Sequence, residues 1–274
     1  MKIYKNISII AITAILGLSL NSCDKVSAPY KEKIEKPDTK QKVLLEDYTG
    51  HTCTYCPGAQ ELAHELADSY GEENLIIVAI HAGALSVPLG DPFTYDFRTS
   101  AGSEYYTYFS IQNTPNGMVN RANEDGVYVL LPADWGTQVA TQFEVDPTME
   151  LAIDATIQDG KVSGNINIDF TSDINTEAFV QIWITEDGII KPQVESGEVI
   201  MEYVHNHVLR AAVNGTWGQA LASASYSEGD SETISFSNFQ IGDDWVADQL
   251  SIVAFVYDND TKKVIQVEKK KIIE

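Results

Sequence analysis

The chain has 274 residues, 44% of them hydrophobic and 9% aromatic, and carries 40 Asp and Glu against 18 Lys and Arg, for a net charge of −22. That apolar content can bury a core, which excludes a disordered chain, and the length suits one large or two modest domains. So acidic a surface repels phosphate backbones and excludes nucleic acid as a partner; the densest basic cluster, Lys269, Lys270 and Lys271, reads as the guard of a final edge strand.

Residues 1–22 have the layout of an export signal. Lys2 and Lys5 supply the positive start, and Ile7 to Leu20 supply an apolar run of about 14 residues, short of the ~20 that a spanning helix needs. Leu20-Asn21-Ser22-Cys23 then has the form of a lipobox, which makes Cys23 the expected acylated residue and the membrane a partner through that lipid. Residues 23–41, with Pro29, Pro37 and five lysines, read as a flexible tether.

From Lys42 the pattern is strand, helix, strand. Val43 to Tyr48 is a short apolar run, Ala59 to Tyr70 repeats apolar residues at helical spacing up to Gly71, and Leu75 to Ile80 is a β-branched run suited to a strand covered on both faces. A parallel β-α-β unit follows. Beyond a loop-rich stretch come an aromatic segment at 104–109, a short strand at 117–120 and a helix at 134–143. After Pro147 the period changes to two. Alternating segments at 149–157, 162–170, 179–185, 204–213, 233–239, 250–257 and 264–268, parted by Gly, Asn, Asp and Ser turns, predict an antiparallel β-sandwich of immunoglobulin-like size. The expected division is therefore 42–147 and 148–274.

With Cys23 assigned to lipid, the remaining cysteines are Cys53 and Cys56, in Thr52-Cys53-Thr54-Tyr55-Cys56-Pro57. They fall between the first strand and the first helix, where unpaired N–H groups and the helix dipole favour a thiolate. If Cys53 caps that helix, it is the more exposed thiol of lower pKa, and Cys56, one turn on, resolves its mixed disulfides. A structural disulfide is a second reading, although so short a loop gains little entropy, and zinc a third, although no second Cys-x-x-Cys or spaced histidine pair completes four ligands. No pattern implies a cofactor.

The strand, the Cys53-Thr54-Tyr55-Cys56 motif opening a helix, the second strand and Thr114-Pro115 before Met118-Val119-Asn120 together resemble the thioredoxin superfamily over residues 42–145. That resemblance implies a cis-proline at Pro115 facing the cysteines, with Thr114 helping to hold a substrate backbone. Two positions depart from that pattern: Thr52 stands where tryptophan is usual, and the buried acid has no clear counterpart, with Glu46 or Asp47 on the first strand as the candidates. The whole chain resembles more specifically the Omp twenty-eight-related outer-membrane lipoproteins of Bacteroidota. That likeness rests on the lipobox, Tyr48 to Pro57, Ile80-His81-Ala82-Gly83, Thr114 to Arg121, and Tyr203-Val204-His205-Asn206-His207-Val208-Leu209-Arg210. It implies an outer-membrane or cell-surface lipoprotein with a thioredoxin-like module.

Further residues invite roles. A protonated His51, two residues before Cys53, would stabilise a thiolate, against the reading of a surface loop histidine. His81 ends the second strand, at the edge where α/β folds place their sites. His205 and His207, alternating on a strand, would share a face that holds a metal or simply packs. Tyr105, Tyr106, Tyr108 and Phe109 line a groove or fill the core. The acidic stretches at Asp243, Asp244 and Asp248 and at Asp258 and Asp260 bind calcium or make turns, and turn chemistry is the simpler account.

Two functions follow: thiol–disulfide exchange on exported cysteine-containing proteins, through Cys53, Cys56, Thr114, Pro115 and His51, or surface binding of a protein ligand with the cysteine pair as scaffold.

Overall fold

The computed structural model describes residues 41–123 and 126–272; the leader, Cys23 and residues 24–40 lie outside them. The first region contains β1 (Val43–Thr49), α1 (Cys56–Tyr70), β2 (Leu75–His81), α2 (Ser100–Tyr108), β3 (Asn116–Val119) and α3 (Pro132–Phe143). The second is all-β: β4 (Met149–Gln158), β5 (Lys161–Phe170), β6 (Ala178–Glu186), β7 (Ile189–Glu195), β8 (Glu198–His205), β9 (Val208–Ala212), β10 (Gln219–Ala220), β11 (Ser231–Gln240), β12 (Leu250–Asp258) and β13 (Val264–Lys271). Among the described residues no helix is long and apolar enough to cross a membrane. Gln41, expected as the end of the tether, is buried.

β1 and β2 pair in parallel from Val43 opposite Leu75 to Thr49 opposite His81, and β3 runs antiparallel on the other side of β1. Because successive strand side chains point to opposite faces, this sheet divides its apolar residues between two cores. Val43, Leu45, Leu75 and Ile77 pack under α1 and α3, which contribute Ala59, Ala63, Ala67, Trp135, Val139 and Phe143. Leu44, Tyr48, Ile76, Val78 and Ile80 face the other way, against Tyr105 and Phe109 near α2 and against Trp183, Phe255 and Tyr257 of the second region.

That second core marks a feature absent from the sequence reading. The strand order of the large sheet is β13-β12-β6-β9-β2-β1-β3, with β10 also on β6, so the sheet runs unbroken from the α/β region into the all-β region. The join is β9 beside β2, where Ala79 faces Val208 and the Ala79 N–H donates to the His207 carbonyl at 2.8 Å. The helical grammar does end at Phe143 and the strand grammar begins at Met149, but the described residues cluster as one compact unit.

β4, β5 and β11 form a separate three-stranded antiparallel sheet. Its apolar residues, among them Met149, Ile166, Ile168 and Ile234, share a core with Val180, Ile182 and Ile184 of β6 and Ile252, Ala254 and Val256 of β12. β6 and β12 are thereby buried on both faces.

The segment expected as one strand over 204–213 is broken. His205 ends β8, His207 turns with φ +57°, and β9 begins at Val208. β7 and β8, which the periodicity did not predict, pair with each other as a two-stranded sheet of their own. Their turn is Ser196-Gly197, with φ +51° and +86°, the two positive values that suit a two-residue hairpin.

Candidate functional site

β1 delivers the chain at Thr49 into the loop Gly50-His51-Thr52-Cys53. Gly50 is required there, because a β-carbon would stand 2.5 Å from the Leu85 carbonyl oxygen. Thr52 uses both its N–H and its hydroxyl on that same oxygen, at 3.1 and 2.8 Å, which pins the loop. Cys53 and Cys56 form a disulfide with Cα atoms 5.4 Å apart. The helix N-cap is Tyr55, so Cys56 rather than Cys53 opens α1, with Pro57 at a first-turn position that lacks an intrahelical N–H bond in any case.

Thr114–Pro115 is cis, as the resemblance implied, and the Thr114 carbonyl oxygen lies 3.5 Å from Cys53 Sγ. The peptide therefore faces the cysteine pair directly.

The expected difference in exposure between the two thiols is absent: Cys53 is 1% exposed and Cys56 0%. The β7–β8 hairpin covers them. The Gln193 side-chain amide donates to the Cys53 and Gly50 carbonyls at 3.0 and 3.3 Å, and the Val194 and Ser196 N–H groups donate to the His51 and Thr54 carbonyls at 2.9 and 3.2 Å. Gly197 N–H adds a bond to Thr54 Oγ1 at 2.8 Å, and the Tyr203 hydroxyl donates to Gln60 Oε1 at 2.7 Å.

The acidic pair at the end of β1 resolves into two roles, because neighbours on a strand face opposite ways. Glu46 forms a buried two-pronged ion pair with Arg121 at 2.8 and 2.9 Å, beneath the rings of Tyr105, Phe109, Trp183, Phe255 and Tyr257. Burial would pull the guanidinium down, but the Glu46 charge holds Arg121 above its ordinary value. Asp47 is equally buried, and neither of its oxygens has a protein partner; burial raises its carboxyl to about 8. It lies in a small cavity with Gln60, Ala63 and Tyr203, under α1. Of the two buried acids, Asp47 is thus the one without a charged partner.

His51 is buried rather than a surface residue, stacked 5.5 Å from Phe93, and burial lowers its pKa, which favours the neutral ring over the protonated one expected beside a thiolate. His81 and His205 join it around Phe97, with centroid distances of 4.3 and 4.5 Å from that ring. His207 goes elsewhere, to His64 at 5.1 Å between centroids and to Asp187 at 2.9 Å. The face expected to be shared by His205 and His207 does not form, and among the described residues no group of three or more His, Cys, Asp or Glu could hold a metal ion. Tyr105 and Phe109 are core, Tyr108 is exposed. Asp258 accepts from the Thr261 N–H and hydroxyl, which is turn chemistry.

A disulfide between a parallel strand and the first turn of a helix, opposite a cis-proline, defines a thioredoxin-like Cys-x-x-Cys module. The chain belongs to the Omp28 family: the family model described as outer membrane protein Omp28 matches residues 102–274. An outer-membrane family agrees with the location read from the leader. Among solved structures, HBP35 of Porphyromonas gingivalis is similar at a TM-score of 0.67 and 17% identity, covering 86% of this chain and 77% of that one. A protein of Agrobacterium tumefaciens gives a TM-score of 0.50 at 10% identity, over 86% and 94%. A domain of the outer membrane lipoprotein Omp28 from P. gingivalis is 25% identical over 46% of this chain and 89% of that domain, with a TM-score of 0.33. No curated protein matches the chain.

Proposed function

We propose that this protein is a lipid-anchored outer-membrane thiol–disulfide oxidoreductase acting on exported cysteine-containing proteins, with Cys23 as the anchor. The observation that carries the reading is the cysteine pair at the start of α1, with Cys53 Sγ 3.5 Å from the carbonyl of the cis Thr114–Pro115 peptide. From the oxidised state, a substrate thiolate attacks Cys53 Sγ, the intramolecular S–S bond breaks, and Cys56 leaves as a thiolate. A second substrate thiolate then displaces Cys53, so the substrate leaves oxidised and the pair is left reduced; reduction of a substrate disulfide is the reverse. Asp47, raised to about 8, exchanges a proton near neutral pH in the cavity it shares with Gln60 and Ala63 of α1. His51, Thr114 and Pro115 shape the floor on which the substrate chain lies. The β4, β5 and β11 sheet, packed on β6 and β12, reads as one half of an immunoglobulin-like sandwich that presents the module.

The test is trapping in cells. Cys56→Ser accumulates mixed disulfides with exported proteins through Cys53, and Cys53→Ser accumulates few. Equal, negligible trapping by both variants would leave the second reading, a surface lipoprotein that binds a protein ligand. Burial of both sulfurs and the exposed Ile190, Val199, Met201 and Val204 on the outer side of the hairpin favour that alternative.

A further inference from the structure

β6 and β9 pair up to Glu186 opposite Val208, and β7 and β8 resume the pairing at Ile189 opposite His205. The four strands are thus one long two-stranded arm, bent at Asp187-Gly188 on one side and Asn206-His207 on the other. Gly188 and His207 both take positive φ, +75° and +57°. Side chains clamp the bend crosswise: Gly188 N–H donates to Asn206 Oδ1 at 2.9 Å and His207 N–H to Asp187 Oδ1 at 2.6 Å. The outer half of the arm is the part that lies over the disulfide.

We propose that the hairpin Ile189–His205 is a hinged lid that closes the cysteine pair in the resting protein and must swing about Asp187-Gly188 and Asn206-His207 before the disulfide can react. The proposal rests on the exchange reading above and concerns how that site is regulated.

Three observations carry it. Polar contacts seal the closed state: Val194 and Ser196 N–H groups reach the carbonyls of His51 and Thr54 on either side of Cys53, so β7 occupies the backbone acceptors of the cysteine loop. Little apolar packing holds its outer part: in the buried apolar clusters of the described residues Ile189 is the sole member from the hairpin, and the His205 ring, 4.5 Å from that of Phe97, lies at the same hinge end. A segment with few buried apolar contacts opens more readily than the core. Closure also leaves Gln193 Oε1, Thr114 Oγ1 and both ring nitrogens of His81 buried without a protein partner. Leaving such groups dry costs free energy that opening to water returns.

The experiment follows reduction of the oxidised mature protein by dithiothreitol, quenched by alkylation and read by mass, beside amide hydrogen exchange. A dithiothreitol thiolate attacks Cys53 Sγ and expels the Cys56 thiolate. Its second sulfur then displaces Cys53, so the reagent leaves as the cyclic disulfide and its two protons remain on the protein. With a lid, the wild-type rate rises with dithiothreitol and then saturates at the opening rate. Gln193→Ala, outside the reacting groups, reduces at least ten-fold faster, and Tyr203→Phe several-fold faster. Val194 and Ser196 amides exchange faster by matching factors, while those of Ile77 and Val78 do not change. A wild-type rate that stays proportional to dithiothreitol and equals that of the urea-unfolded chain overturns the lid, as do unchanged rates in folded variants. Should either variant fail to fold, saturation in the wild type still decides. Variants that reduce faster yet exchange with no protein disulfide refute the oxidoreductase and keep the lid. Equal turnover of a protein substrate by wild type and Gln193→Ala does the opposite.

Discussion

Asp47 couples stability to pH through a carboxyl that the fold keeps protonated. Its unfolded pKa is about 3.9 and its folded value about 8, so between these the folded state holds a proton that the unfolded chain has released. Its contribution is therefore most favourable below pH 4 and is lost as pH rises to 8. Asp47→Asn, which cannot ionise, should raise stability at pH 8 by on the order of a few kcal/mol and change little at pH 4, measured by urea unfolding at both. The histidines have the opposite sign. Burial lowers His205 to about 4 and His81 well below its ordinary value, so their contribution is present above about 6.5 and is lost as pH falls toward 4. From pH 4 to about 6.5 the two effects oppose each other, and above 6.5 only the Asp47 loss continues, so the wild type should be most stable near pH 6.5 and Asp47→Asn should abolish the decline from there to pH 8. The sequence could place an acid at the end of the first strand but could not choose between Glu46 and Asp47. That choice depends on which face meets Arg121, a residue 75 positions from Glu46.

Among the elements, β1, α1 and β2 were legible because each has a local cause: β-branched runs for the strands, apolar spacing for the helix, and Gly71 at its end, with φ +97°. The Cys53, Cys56, Thr114 and Pro115 set was legible from resemblance, and the structure brings all four together. The hairpin over them was not. Pro192 and the charged residues of β7 and β8 blur its alternation, and the signal that could have found it is Ser196-Gly197 between Ile189-Ile190 and Val199-Ile200. Burial of His51 was hidden for a similar reason, since its cover comes from the rings of His81, Phe93 and Phe97, 30 to 46 positions on, and from Val194, 143 positions on. Gly50 tests how tightly the loop is set. A methyl group there meets the Leu85 backbone, not a flexible side-chain end, so Gly50→Ala should cost about 1–3 kcal/mol in chemical denaturation. Gly197→Ala, with open space around its β-carbon, should cost only the positive-φ penalty of about 1 kcal/mol and loosen the hairpin.

Across the whole molecule, the change of grammar near Pro147 marks a change of element type inside a shared sheet. Pairing between β2 and β9 is a contact between segments more than 120 residues apart, which no local periodicity encodes. A protease that cuts the loop at 144–148 should therefore leave both parts associated, running as one species on size exclusion and separating only in denaturant. Dissociation of the nicked halves in native buffer would show two independent units. Cys23, outside the described residues, sets a second whole-molecule expectation: Cys23→Ala should move the protein from the detergent phase with membranes to the aqueous phase, read by phase partition and acyl mass.

The chain enters the fold at Gln41 and Lys42 and runs straight into β1, whose far end carries the Cys53 loop. Any pull from an anchor upstream is thus directed along β1. That strand is bonded on both sides, to β2 in parallel and to β3 antiparallel, and Lys42 is tied to Glu268 on β13. Tension along its axis loads both ladders in shear, many hydrogen bonds at once, instead of peeling them one by one. The disulfide hangs from the unloaded end, some 20 Å downstream at about 3.3 Å per residue, and a protein tugged at the membrane keeps its cysteine loop at rest.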